Sequence, residues 1–298
     1  KLDSISKITN KINTILGNSS NKGLVAVGAT GSGLSFNELS FLDADLEVTG
    51  GIVALPKLVT VGGAVTLDYA GPYTFPLISR ATTITLVGSA TKGTSVDFSG
   101  LTTAGTLESA SGVFNLPAAT SVVLGSISLP ASVTLATCTN FVTGQNAAAG
   151  QAAFSAAIGS TVTTTAITID MSKIKGLTGA VTITTGSNTG TTVNLGAVAS
   201  AAGQVNINSA GSLDLGSLTA ITKGTILQGT SIDLSGLVSN TAVVTLTLPA
   251  GSTQNLPAMT SNAATITAST AKAFVAPLLV VGQQIITEGG AAASIEVG

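Results

Sequence analysis

A six-residue pattern, apolar-polar-apolar-x-x-apolar, recurs about every 20 residues along this chain, and a period of that length belongs to stacked repeat architectures. The clearest copies are Val96-Asp97-Phe98 with Leu101, Ile169-Asp170-Met171 with Ile174, Val193-Asn194-Leu195 with Val198, Leu213-Asp214-Leu215 with Leu218, and Ile232-Asp233-Leu234 with Leu237. With the third position as a marker, the series reads Phe36, Leu55, Phe75, Phe98, Leu116, Leu135, Met171, Leu195, Leu215, Leu234, Leu256 and Ala276, which predicts about twelve coils. Roughly ten residues after most markers, short runs such as Val65-Thr66-Leu67, Val181-Thr182-Ile183 and Val244-Thr245-Leu246 alternate apolar with polar. That alternation is the mark of a strand with one buried face. Each coil is therefore predicted to carry two strands, turned by clusters such as Leu55-Pro56 and Gly62-Gly63.

A two-strand unit of this size cannot bury its apolar face alone, so successive coils must stack and share a core. The expected fold is all-β, a parallel β-helix (β-solenoid), with residues 18–298 as a single solenoid domain. Composition agrees: the chain is 44% hydrophobic but only 3% aromatic, which suits a thin core of Val, Leu, Ile and Ala.

Two segments depart from the repeat. Residues 1–17 place Leu2, Ile5, Ile8, Ile12, Ile15 and Leu16 at helical spacing before Gly17, which predicts an amphipathic helix capping the first coil. A membrane-surface helix is the alternative for a segment bearing Lys1, Lys7 and Lys11, but it lacks the Trp or Phe of an interfacial anchor. The Ala-rich stretch 145–158 predicts a short helical insertion, packed through Phe154 and Ile158. At the other end, Ile285, Ile286, Ile295 and Val297 lie on short terminal strands. An uncapped coil there would expose a template for another chain, and the tail strand equally suits a cap on its own solenoid.

Charge is sparse and uneven. Only 8% of residues are charged, against about 25% in an ordinary domain. Residues 109–169 and 234–271 contain no Asp, Glu, Lys or Arg. Such a wall of Thr, Ser, Ala, Asn and Gly suits packing against copies of itself, though hydroxyls also hydrate it. A net charge of −2 gives no basic stripe for nucleic acid, and no apolar run is long enough for a transmembrane helix. The opening at Lys1, without methionine or an apolar signal region, suggests a processed, secreted chain. Cys138 is the sole cysteine and reads as a buried apolar residue.

Chemistry is scarce. The chain has no His, which removes the usual general base and the commonest metal ligand, and its many serines have no evident activating partner. The expectation is a non-enzymatic protein without a cofactor. One polar column stands out: Asp170, Asn194, Asp214, Asp233 and Asn255 occupy the outward middle position of successive repeats. Stacked carboxylates about 4.8 Å apart repel by roughly 0.9 kcal/mol even in water. Asp214 and Asp233 thus invite a cation, against the alternatives of a solvated column or an amide ladder. Asp43, Asp45 and Glu47 read as a solvated edge able to pair with the first lysines.

The phrase 54–67, Ala-Leu-Pro-Lys-Leu-Val-Thr-Val-Gly-Gly-Ala-Val-Thr-Leu, resembles the LPxLTxVGGxLTI repeat of receptor L-domain-like and related leucine-rich surface proteins. Looser copies follow at 75–86 and 256–266. The resemblance implies a right-handed solenoid in an extracellular, cell-surface setting, and it transfers no binding site. The combined expectation is a secreted structural protein, a homo-oligomer or homopolymer that builds a surface filament, sheath or layer. Its joints would involve the helix face Ile5, Ile8 and Ile12 and the tail residues Ile285, Ile286, Ile295 and Val297. A surface adhesin or carbohydrate-binding stalk is the rival, with Tyr69 and Tyr73 as its only aromatic hint. Ice binding through pairs such as Thr182/Thr184 and Thr245/Thr247 is a further one, interrupted at Asn206/Asn208. Surface glycans have one sequon, Asn18-Ser19-Ser20.

Overall fold

The fold was analysed in a computed structural model. It describes 14–16, 24–27, most of 34–68, shorter stretches between 73 and 144, and 151–297 apart from 270–272, 283 and 288–293. The described residues make an all-β parallel solenoid of about eight turns and contain no helix. The chain comprises two compact units, Lys1–Ala148 and Ala149–Gly298.

The six-residue pattern has a direct structural meaning. Its first three residues are a strand end, and the next three close a β-turn in which the sixth residue's N–H donates to the marker carbonyl. This bond recurs from Leu58 to Leu55 at 3.2 Å, Ile174 to Met171 at 2.9 Å, Leu218 to Leu215 at 3.0 Å and Met259 to Leu256 at 3.1 Å. Both flanking apolar side chains then point inward: Leu55, Leu58, Met171 and Ile174 are fully buried. Each such side chain contributes about 1.5–3 kcal/mol by leaving water.

Three strands, not the predicted two, make up a coil. In the first unit they are represented by Leu34–Ser35, Phe41–Asp43 and Leu46–Thr49. In the second, one coil comprises Thr192–Asn194, Ser200–Ala201 and Val205–Asn208. The additional strand, two residues long in many coils, follows the turn at the marker and is too short to show an alternation in the sequence. All pairings are parallel, with like positions in register, as in Val193 against Leu213 and Leu213 against Ile232.

In the first unit, the glycine pair answers a packing need. A Cβ on Gly62 would stand 3.2 Å from the Asp43 Cα, and one on Gly63 would stand 2.7 Å from the Asp45 nitrogen. At Gly63 the preceding coil's main chain passes too close for any side chain. Farther along, Tyr73–Thr74, Ser95–Phe98, Ser121–Leu124 and Asn140–Val142 are consecutive neighbours in one ladder. The register pairs Phe98 with Leu124, whereas the marker Leu135 ends a strand of a separate ladder, Ser132–Leu135 paired with Val113–Asn115. The marker series therefore changes sheets in this region, a phase slip that a uniform period conceals.

Both predicted helices need correction where they are described. Thr14–Leu16, assigned to the last turn of the capping helix, is a strand paired with Phe41–Asp43. Its β-branched Thr14 and Ile15 suit a pleated ladder. Residues 1–13, with Ile5, Ile8 and Ile12, lie outside the described residues. Within the predicted insertion, Phe154–Ile158 is a strand paired residue by residue with Val181–Thr185. Phe154, Ala156 and Ile158 are buried. Apolar residues at 154 and 158 satisfy a helical spacing and a strand alternation alike. The full ladder of hydrogen bonds to the neighbouring coil overrides the weak helical preference of alanine, and Gly159, at φ 64°, ends the strand.

Candidate functional site

The polar column predicted from the repeat is present, and its oxygens have a structural task. The Oδ1 atoms of Asp170, Asn194, Asp214 and Asp233 each accept the backbone N–H two residues on, from Ser172, Gly196, Gly216 and Ser235, at 2.8–3.0 Å. Each bond holds the strand-to-turn corner of its own coil. Asp214 and Asp233 are adjacent rungs. Among the described residues no three His, Cys, Asp or Glu side chains come together to hold a metal ion.

Where residue 255 would extend this column, the wall opens. Strands 231–233 and 253–255 belong to different sheets, the latter continuing with Ala273–Ala276 and Ser294–Val297. Leu234 and Leu256 stand 22 residues apart, against 19 for Leu215 and Leu234. The added residues form a turn in which Ser252 donates to the Pro249 carbonyl through its N–H at 3.2 Å and its hydroxyl at 2.7 Å. Gly251 in that turn adopts φ 84°. Between the separated strands lies a cleft of about 440 Å³, lined by polar groups of Ser231, Asp233, Ser235, Thr253 and Asn255 and walled by Leu248 and Pro257.

Gln254 bridges the two separated strands from the core side. It occupies the inward position that Val193, Leu213, Ile232 and Phe274 take on other coils, and it is 2% exposed. Its Nε2 donates to the Ile232 carbonyl at 3.1 Å and to the Asn255 carbonyl at 3.3 Å. A side-chain amide thus replaces some of the missing ladder. A second inward polar pair stands on the short strands, where Asn240 Nδ2 donates to Asn262 Oδ1 at 2.8 Å, both residues fully buried. The signal for these residues was a polar side chain at an otherwise apolar phase of the repeat, at Gln254, Asn240 and Asn262.

The terminal coil carries the predicted joint residues. Val281–Gly282, Ile285–Thr287 and Ser294–Val297 are each the last strand of their sheet among the described residues. Ile285 pairs with the buried Ile266 and is itself half-buried. Ile295 pairs with the fully buried Phe274 yet is 44% exposed. Leu278 and Val280, on the same coil, are 55% and 85% exposed. Ile286 lies on the outward face of its strand's ladder, next to Thr267. Val297 pairs with the buried Ala276.

Other expectations divide as follows. Cys138 fills the sixth position of its repeat copy, fully buried, with its Sγ–H donating to the Asn140 carbonyl at 3.2 Å. Burial pushes its pKa up to about 11, against the smaller opposing effect of backbone hydrogen bonds. The threonine pairs Thr182/Thr184 and Thr245/Thr247 share one ladder, separated by Asn206/Asn208 and Ile226/Gln228. Asp45 Oδ1 accepts the Ala64 N–H at 2.8 Å. Lys1, Lys7, Lys11, Tyr69 and Asn18 lie outside the described residues. No family model matches the chain, and neither a curated protein nor a solved structure does, so its functional reading rests on fold and geometry.

Proposed function

We propose that the chain is a non-enzymatic, extracellular structural protein whose copies join through solenoid ends and an uncharged side wall into a surface filament, sheath or layer. In this reading the whole chain is a right-handed solenoid of about twelve coils, akin to receptor L-domain-like surface proteins. The observation that carries the proposal is the terminal coil. Among the described residues three strands are each the last of their sheet, and Ile295 sits 44% exposed directly on the fully buried Phe274. A further coil from a second copy, laid in the same register, would extend these ladders and cover Ile285 and Ile295. The charge-free runs 109–169 and 234–271 remove the like-charge repulsion that normally keeps such surfaces apart.

Negative-stain electron microscopy over a concentration series tests this reading. Ordered fibres or sheets with a regular axial repeat are expected from the purified chain, and Ile295→Glu should disperse those formed end to end. Single particles at every concentration would sink the proposal.

A further inference from the structure

The cleft between strands 231–233 and 253–255 is a built feature rather than a by-product of loop length. Met171 and Leu195 stand 24 residues apart, more than Leu234 and Leu256, yet strands 168–170 and 192–194 keep their parallel ladder. Extra residues alone therefore do not separate neighbouring coils. Here the gap is bridged by the buried Gln254, whose two hydrogen bonds offset the cost of placing an amide among apolar side chains. A leucine at this position would fit the repeat and would leave the Ile232 carbonyl free to re-form a ladder.

The lining narrows what the cleft can accept. No Lys or Arg occurs between 234 and 271, and none lines the cleft, so a phosphate or sulfate finds no counter-charge. Asp233 is the sole carboxylate in the lining, too few hard ligands for the six to eight oxygens calcium takes. What remains is one strong acceptor, the Asn255 amide, the hydroxyls of Ser231, Ser235 and Thr253, and the apolar sides of Leu248 and Pro257. The volume, about 440 Å³, falls in the small-molecule range of roughly 300–1,000 Å³.

We propose that this cleft binds a neutral saccharide unit. Ring hydroxyls would donate to Asp233 and pair with Asn255 and the serine and threonine hydroxyls, while the C–H face of the sugar would rest on Pro257 and Leu248. The site needs no second copy of the chain, so it stands or falls apart from the assembly proposal.

The full chain should be probed on an array of neutral oligosaccharides, with sialylated and sulfated glycans as controls, and any neutral hit titrated by calorimetry. Asp233→Asn is the discriminating variant. Asn194 accepts its turn N–H as Asp233 does, so the substitution keeps the corner while removing the charge. Saccharide affinity should fall at least tenfold in Asp233→Asn and Asn255→Ala, and stay unchanged in Asp214→Asn, one coil away. Gln254→Leu should abolish binding without lowering the melting temperature. Failure of every neutral glycan to bind, binding confined to acidic glycans, or equal affinity in Asp233→Asn would each overturn the assignment.

Discussion

Aspartate meets glycine across neighbouring coils in both compact units, yet the partnership does different work in each. In the first unit Asp45 Oδ1 reaches the Ala64 N–H, a bond between coils, and Gly62 and Gly63 lie against the main chain of residues 43–45. In the second, Asp214 and Asp233 commit Oδ1 to their own turns. Gly196 faces the Asp214 carboxylate of the coil that follows, and Gly216 faces the Asp233 carboxylate and the Ser235 hydroxyl. One arrangement ties coil to coil through fixed backbone, and the other shapes each corner locally and leaves side-chain atoms rather than backbone at the seam. Two residue types recurring at the same period therefore do not imply one structural role.

The largest expected effect shows where the two units should agree. Leu55→Ala and Leu215→Ala remove equivalent marker side chains, exposed by 0% and 1%. Each should cost about 2–5 kcal/mol in urea unfolding. A large inequality would mean that the coils of one unit collapse around the cavity more readily.

Next comes a pH effect specific to the first unit. The buried Cys138 thiol stays neutral to about pH 11 in the folded chain, but ionises near its ordinary 9.0 once unfolded. The folded state thus holds the proton more tightly between these values. Stability is full below about pH 9 and is lost as pH rises toward 11, by on the order of 2–3 kcal/mol. Urea midpoints at pH 8 and 11 should show this loss in the native chain and a shallower one in Cys138→Ala. Identical pH slopes would show that the thiol is hydrated in the folded state.

The smallest effect separates the two glycine environments directly. A Cβ at Gly63 would sit 2.7 Å from the Asp45 nitrogen and 2.9 Å from the Ala44 carbonyl carbon, so the backbone must move. At Gly216 its nearest neighbour is the Asp233 carboxylate oxygen at 3.0 Å, the end of a side chain that can turn aside. Gly63→Ala should therefore cost about 1–3 kcal/mol and Gly216→Ala less than about 0.5 kcal/mol. Equal costs in thermal unfolding would erase the distinction between the two glycine environments.

The repeat itself was plain from sequence, because a stacked coil confines apolar side chains to fixed phases of a period. Leu55, Leu58, Met171, Ile174, Leu215 and Leu218 are all buried at the positions that the pattern assigns. Cys138 was legible for the same reason. The phase slip was not, since Leu135 satisfies the pattern while lying on another ladder, and Thr143 is buried without being apolar. Phe154–Ile158 was misread because alanine favours helices locally, while a neighbouring strand offers hydrogen bonds that no short isolated helix can match.

Periodicity and composition were enough to establish a stacked all-β architecture. Three matters required the folded chain: the third strand of each coil, the edge strands of the terminal coil, and the opening held by Gln254. Periodicity records which side chains avoid water, a property each residue carries into any fold. It does not record which backbone groups find partners. That depends on residues about 20 positions apart meeting in register, and a ladder that opens at one coil leaves no mark on the period beyond a few added residues and a single misplaced glutamine.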